Sequence, residues 1–293
     1  MTASLLVGQF LSGLTTSMFL FLIASGLSLV FGVMRVLNFA HGSFYMIGAY
    51  LAWQVVTWLH PVGEAFWLAA LAAGLGVALL GAVAERLLLR HLYGLDELYQ
   101  LLLTYALVLI LGDAAKYIWG TEQLSVHRPP ILDGGFQLLG NTVPYYNLFI
   151  IAVGPAIAIT VGLVLARTAA GRMLRAASAD REMLDAMGAN VGLIYTGMFA
   201  VSSFLAGIAG AFITPMESIV PGMDVQVIVQ AFIVVVIGGL GSFWGTFWGA
   251  MIYGQVLSFG ILILPEFSLF SVFALMAVVL IVRPWGLFGR PIR

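Results

Sequence analysis

The hydrophobic positions of this 293-residue chain form long continuous runs, without the alternation of a half-buried strand. Most of these runs approach the roughly 20 residues that a helix needs to cross about 30 Å of hydrocarbon, and two are shorter. Strands of a membrane barrel would alternate between apolar and polar positions. The pattern predicts an all-α, polytopic integral membrane protein with about nine transmembrane helices (eight to ten). The predicted spans are residues 8–33, 43–59, 66–86, 101–119, 146–166, 194–214, 227–240, 246–264 and 268–283.

Composition supports this fold class and excludes others. Hydrophobic residues make up 62% of the chain and charged residues only 9%, whereas soluble domains carry about 25% charged residues. The net charge of −1 leaves no basic face for a nucleic-acid partner. Cysteine is absent, which excludes disulfides, thiol nucleophiles and Cys-ligated metals, and we expect no metal site.

The basic residues predict the orientation, because cytoplasmic loops are enriched in Lys and Arg. With nine crossings, all the arginine clusters fall on one side, which places the N-terminus outside and the C-terminus in the cytoplasm. These clusters are Arg86 and Arg90, then Arg167, Arg172, Arg175 and Arg181, and finally Arg283, Arg290 and Arg293. We expect one transmembrane domain over residues 1–293, with a cytoplasmic loop at 167–193 and an external loop at 120–145.

Two polar or glycine-rich stretches interrupt the apolar runs, one in each half of the chain. Non-helical backbone at membrane depth occurs only where protein or a water-filled cavity surrounds it. Paired interruptions in two halves therefore indicate a transport pathway between internal repeats. Both interruptions contain the tripeptide Gly-Ser-Phe, at 42–44 and at 241–243, which fits either an internal repeat or a chance identity. The candidate pathway residues are Asn38, His41, Gly42, Ser43, Gly238, Gly239, Gly241 and Ser242.

The first interruption has a simpler interpretation as well. A tight cytoplasmic turn would leave Asn38 and His41 in water, with no role in transport. Ser43 is expected to cap a helix that follows it, since serine is a favoured N-cap residue.

The stretch SADREMLDAMG, residues 178–188, predicts a short amphipathic helix in the cytoplasmic loop. Its mixed charge favours docking to another protein, and the alternative is a helix that lies against the bilayer. Gly188 is a natural C-terminal stop. The residues assigned to this helix are Ala179, Asp180, Arg181, Glu182, Met183, Asp185, Ala186 and Gly188.

The remaining charged residues can be explained by structural roles alone. Asp113 and Lys116 have the i, i+3 spacing of a helical ion pair, and a proton relay is the alternative. Glu85 is expected to pair with its neighbour Arg86 at the membrane interface. Three acids leave the outer face acidic, where they either contact an external partner or only keep short loops in water: Glu217, Asp224 and Glu266.

No catalytic motif is present. The chain lacks the GxxxxGK[ST] phosphate loop, HExxH and GxSxG. We therefore expect that it is not an enzyme by itself.

Three segments carry a resemblance to a known family. GLSLVFGVMRVLNFAHGSFYMIGAY (26–50), GGLGSFWGTFWGA (238–250) and RPWGLFG (283–289) are similar to the LivH-type permeases of bacterial branched-chain amino acid ABC importers, the HAAT family. The resemblance implies a bacterial inner-membrane subunit that forms the translocation pathway with a LivM-type permease. It implies as further partners two cytoplasmic ABC ATPases, which use ATP and Mg, and a periplasmic substrate-binding protein. The chain itself would bind no cofactor and would contact membrane lipid.

The resemblance also implies roles for both polar regions. Asn38 to Gly42 would be a broken helix near the pathway, and Ala179 to Gly188 would be the helix that couples to an ATPase. The general permease consensus is only partly kept, because Ala176, Ala177 and Gly188 are recognisable but no Pro follows.

Several alternatives stay open. Relatives carry urea, aromatic acids or other small carboxylates. The other classes are an ion-coupled secondary transporter or channel, and a membrane scaffold.

Overall fold

The computed structural model describes residues 3–59, 65–138, 140–263 and 265–289. Arg290 and Arg293, which contributed to the predicted orientation, lie outside the described residues. The described chain is mostly helical. The helices are α1 (Ala3–Met34), α2 (Ala40–Trp58), α3 (Ala65–Leu87), α4 (Glu97–Trp119), α5 (Tyr145–Arg167), α6 (Ala169–Ala179), α7 (Arg181–Ala186), α8 (Val191–Ile213), α9 (Met223–Gly238), α10 (Phe243–Ile263) and α11 (Ser268–Val282).

Each of the nine predicted spans coincides with a helix. Seven helices of the described chain are long and apolar enough to cross a membrane: α1, α3, α4, α5, α8, α10 and α11. The other two are α2, which follows the first polar interruption, and α9, which is short, with only 16 residues. They lie at the centre of the bundle, where every residue of α2 from Ala40 to Tyr50 is buried. The prediction of an all-α polytopic membrane protein is confirmed.

Glycine allows the central helices to approach closely. A Cβ at Gly48 of α2 would lie 2.5 Å from the carbonyl oxygen of Gly207 in α8. A Cβ at Gly210 of α8 would overlap the carbonyl oxygen of Tyr45 in α2. Small residues at such contacts are typical of membrane helix packing. The contact holds α8 firmly against α2.

The first predicted break is present and lies beside α1, within the helix bundle. Arg35 adopts a left-handed conformation with φ 55° and turns the chain back after α1. The stretch 35–39 then runs beside α1 until His41 reaches Ile23. Since Ile23 lies eleven residues before the end of α1, α2 begins about 16 Å back from that end. The carbonyl of Leu37 accepts a hydrogen bond of 3.3 Å from Thr104 of α4, which supports this non-helical backbone.

The second break, residues 239–242, joins α9 to α10. Gly239 and Gly241 have φ of 107° and 78°, a backbone that favours glycine. The Ser242 hydroxyl accepts a hydrogen bond of 3.1 Å from the Gly245 amide and so caps α10.

The expected role of Ser43 in the first interruption is wrong. Ser43 does not cap a helix, because α2 already begins at Ala40. The two Gly-Ser-Phe copies also occupy different positions, since Gly42 lies inside α2 whereas Gly241 lies in the turn before α10. The shared tripeptide therefore marks no equivalent pair of sites.

Outside the spans, the loop between α4 and α5 contains a short antiparallel hairpin, β1 (Gly135–Leu138) and β2 (Asn141–Pro144). The same loop pairs through Leu124 with Ile219, by hydrogen bonds of 3.1 and 2.8 Å. Ile219 belongs to the connection between α8 and α9, so the loop holds that connection in place.

Candidate functional site

A polar cavity of about 260 Å³ lies among α1, α2, α9, α10 and the connection between α8 and α9. Its volume is below the roughly 300–1,000 Å³ of pockets for drug-sized ligands, so it suits a small solute. One wall is apolar, with Phe19, Leu20 and Leu257. The polar lining consists of Thr15, Thr16, Tyr45, Glu217, Gln226 and Gln230.

The two glutamines place polar groups on an otherwise apolar helix. Gln226 and Gln230 are one turn apart and therefore share a face of α9. Gln226 is exposed and Gln230 is half-buried. Polar side chains at membrane depth face a bundle interior or a water-filled cavity, which indicates that this face of α9 does not meet lipid. Neither residue was predicted from the sequence, although their i, i+4 spacing is a usable signal for a polar helix face.

Among the described residues that line the cavity, Glu217 is the one with an acidic side chain. It lies in the connection between α8 and α9, outside the spans, and partial burial raises its pKa above the usual value. Among the described residues no cation lies within ion-pair distance of its carboxylate. The cavity therefore contains an acid that is free to meet a cationic group.

Tyr45 of α2 lines the same cavity. Its side chain is fully buried, and its hydroxyl has no hydrogen-bond partner in the described part of the chain. An unpaired buried polar group is costly, so a solute with a polar group can gain by pairing with it.

A buried hydrogen bond joins α2 to α9 next to the cavity. The Ser43 hydroxyl donates to the Asp224 carboxyl over 2.8 Å, and both side chains are buried. Asp224 was expected in a loop on the outer face, and this expectation is wrong. It occupies the first turn of α9, where the helix dipole favours an acidic side chain.

The other predicted residues of the first interruption pack within the protein. The Nε2–H of His41 donates to the Ile23 carbonyl over 2.9 Å, while its Nδ1 has no partner in the described chain. The Asn38 side-chain oxygen is buried and likewise unpaired there. A Cβ on Gly42 would lie 2.6 Å from the carbonyl oxygen of Asp224, so this glycine permits α2 and α9 to meet. None of these three residues lines the polar cavity.

The second predicted group lies at the opposite end of α9. Asp224 and Gly238 are 14 residues apart, which is about 21 Å along a helix. The Phe288 amide donates to the Gly238 carbonyl over 3.0 Å, and Gly239 packs against Gly286 and Gly289 of the same tail. Gly241 packs against Gly32 of α1. The structure thus separates the two predicted groups, and residues 238–241 pack against the C-terminal tail and the end of α1.

A larger cavity of about 800 Å³ lies between α5, α6 and α8. Its lining is apolar except for Thr160, whose hydroxyl donates to the Ala156 carbonyl of its own helix. None of the described residues that line this cavity offers a free polar group to orient an amino acid.

The predicted cytoplasmic helix is interrupted at Asp180. This residue ends α6, and its carboxylate caps α7 through a 2.9 Å hydrogen bond from the Met183 amide. Ala179 is therefore the last residue of α6, and the prediction of one helix over 178–188 is wrong. Gly188 ends the segment with φ 86°, as its sequence position indicated. Except for Leu184, every residue from Arg181 to Gly188 is exposed.

Beside α7, Glu85 forms a contact that was not expected. It is fully buried near the end of α3 and does not pair with Arg86. Its carboxyl accepts hydrogen bonds from the Tyr93 hydroxyl over 2.8 Å and from the Thr196 hydroxyl over 2.5 Å.

Comparison with known proteins shows the family of the chain. The family described as "Branched-chain amino acid transport system / permease component" matches residues 9–282. The permease protein BraD of a high-affinity branched-chain amino acid transport system in Pseudomonas aeruginosa is 30% identical, over 97% of this chain and 95% of the relative. The corresponding LivH of Escherichia coli K12 is 27% identical, with the same coverage. No solved structure matches.

Proposed function

Because the chain belongs to the family of permease components of branched-chain amino acid transport systems, we propose that it forms part of the translocation pathway of an ATP-driven importer. The cargo would be branched-chain or other hydrophobic amino acids, as the names of the relatives suggest. The polar cavity beside α9 is the observation that carries this proposal. It combines a free carboxylate and unpaired hydroxyl with an apolar wall, which suits a zwitterion with an apolar side chain.

The assembly would contain a second, LivM-type permease, two ABC ATPases that use ATP and Mg, and a periplasmic binding protein. The exposed face of α9 with Gln226 supports a permease partner, because polar groups at membrane depth need protein or water beside them. The exposed helix α7 supports contact with an ATPase. Gentle purification from native membranes and mass spectrometry test this directly. Recovery of a homologous permease with two ATPases is expected, and a chain that purifies alone would contradict it.

The pathway assignment has its own test, in proteoliposomes that contain the complete importer. Gln226→Leu with Gln230→Leu should lower ATP-driven leucine uptake at least tenfold, because the cavity loses its polar wall. The matched control is Val225→Leu with Val229→Leu, on an exposed face of the same helix. Equal uptake by both pairs would contradict the pathway. Competition with urea and with aromatic or small carboxylic acids separates the alternative cargoes.

The proposed orientation places the N-terminus outside and the C-terminus in the cytoplasm of the bacterial inner membrane. The absence of cysteine makes single-cysteine labelling simple. Ser125→Cys in the external loop should react with an impermeant maleimide in intact cells. Ala186→Cys in α7 should react only after the membrane is opened, and the reverse result would invert the orientation.

A secondary transporter is disfavoured by the placement of Asp113 and Lys116. Their side chains pair with each other over 3.0 Å and are both exposed. An ion pair that satisfies itself near the end of α4 gives no relay into the polar cavity.

A further inference from the structure

The cytoplasmic ends of α3, α7 and α8 meet in a cluster of aromatic and charged side chains. Tyr93 and Tyr195 lie edge to face, with ring centroids 5.4 Å apart and an interplanar angle of 88°. The guanidinium carbon of Arg181 lies 5.7 Å from the Tyr93 centroid and 5.5 Å from that of Tyr195. Both distances fall within the roughly 6 Å of a cation–π contact.

The rings, and not carboxylates, hold Arg181. It is the first residue of α7, and Asp180, Glu182 and Asp185 are its acidic neighbours in sequence. Nevertheless, in the described part of the chain its guanidinium has no ion pair within 4.0 Å. The Arg181 side chain is therefore held in place by its contact with the two tyrosine rings.

The tyrosines are in turn fixed to the transmembrane helices. Tyr195 belongs to α8, and Tyr93 donates to the buried Glu85 of α3, which also accepts from Thr196 of α8. Burial and the neighbouring Glu85 raise the pKa of Tyr93, so its hydroxyl keeps the proton that it donates. Arg181 thus rests on a surface that is hydrogen-bonded to both α3 and α8.

Helix α8 connects this surface with the polar cavity. Along α8, the Ser202 hydroxyl donates to the Gly26 carbonyl of α1 over 2.8 Å. Further on, Gly207 and Gly210 are in close contact with Gly48 and Tyr45 of α2. Tyr45 lines the cavity. A displacement of the inner end of α8 therefore reaches a residue of the cavity wall through packed contacts, about 22 Å away between Tyr195 and Gly210.

We propose that Arg181 is a positioning residue that clamps α7 onto Tyr93 and Tyr195, so that movement of α7 shifts α8 and the cavity wall. The inference rests on the proposed function, in which α7 contacts an ATPase. Apart from Arg181, only Leu184 of the described α7 residues packs against the cluster that contains Tyr195, and the other side chains of α7 are exposed. Without the clamp, α7 would be held less firmly against α8. ATP hydrolysis would then continue while transport stopped.

The test uses the complete importer in proteoliposomes and compares transport with ATP hydrolysis. Arg181→Gln should lower the number of substrate molecules moved per ATP at least fivefold, with the ATPases still bound to the permease. Arg181→Lys keeps the cation and should restore much of the coupling. Tyr195→Phe keeps the ring and should couple normally, whereas Tyr195→Leu should behave like Arg181→Gln. The matched control is Arg172→Gln, which removes an exposed arginine from α6.

A double variant tests whether the two side chains act through one contact. Arg181→Gln with Tyr195→Leu should be no worse than either change alone, because coupled residues are not additive. Independent, multiplying losses would overturn the inference. So would normal coupling in Arg181→Gln, or loss of the ATPases from that variant, which would mean a direct contact of Arg181 with an ATPase. If the unaltered chain fails to co-purify with ATPases, the proposed function itself fails, and that result is separate from those above.

Discussion

The hydrogen bond between Ser43 and Asp224 can be used to measure how much the contact between α2 and α9 contributes to stability. Ser43 is 0% exposed and Asp224 3% exposed, so water cannot replace a lost partner. A hydrogen bond to a charged group contributes about 1.5–3 kcal/mol net. We therefore expect Ser43→Ala to lower the free energy of unfolding by about 2 kcal/mol.

The assay is denaturant unfolding of the purified subunit in mixed micelles. The control is Ser25→Ala, since the Ser25 hydroxyl is equally buried but donates over 2.8 Å to Leu22 of its own helix. This control should change stability by about 0.5 kcal/mol or less, because alanine is the better helix former.

A double-mutant cycle assigns the loss to the pair. Asp224→Asn should cost less in the Ser43→Ala background than in the unaltered chain, by about 1 kcal/mol or more, since contacting residues couple. Losses that add within about 0.5 kcal/mol would refute the hydrogen bond as a link between α2 and α9.

Three further outcomes follow from particular contacts. The raised pKa of Glu217 means that its charge is lost at a higher pH than for an ordinary glutamate, so leucine uptake should fall as the external pH falls through that pKa. In Glu217→Gln, uptake should be low and insensitive to pH over this window, and an unchanged profile would exclude the carboxylate as a substrate contact. Gly210→Ala should destabilise by about 1–3 kcal/mol through overpacking against α2, whereas Gly197→Ala in the same helix meets nothing within 4 Å and should be tolerated in thermal unfolding. Neutralising Asp113 and Lys116 should cost less than about 1 kcal/mol and leave the pH profile of uptake as it is in the unaltered chain, and a dependence on a pH gradient that only the variant loses would contradict the assignment of this pair.

Local sequence determined which segments are helical and where several of them end. Continuous apolar length is a property of one segment, so all nine spans were predictable. The same holds for Gly188, whose positive φ ends a helix, and for Asp113 with Lys116, which face each other one turn apart in any helix. The break at 35–39 was also visible, because Asn38 and His41 cannot lie in lipid without surrounding protein.

Contacts between distant segments were decided only by the tertiary structure. Ser43 and Asp224 are separated by 181 residues, and Glu85 and Thr196 by 111, so neither partner was readable from its neighbours in sequence. The expected pairing of Glu85 with Arg86 does not form for this reason. The Glu85 side chain is buried between α3 and α8 and bonds to other partners there, although Arg86 is its neighbour in sequence. The polar cavity likewise arises from side chains of α1, α2, α9, α10 and the connection between α8 and α9, which the loop between α4 and α5 holds in place. Sequence periodicity fixes the face of each helix, but packing decides which faces meet.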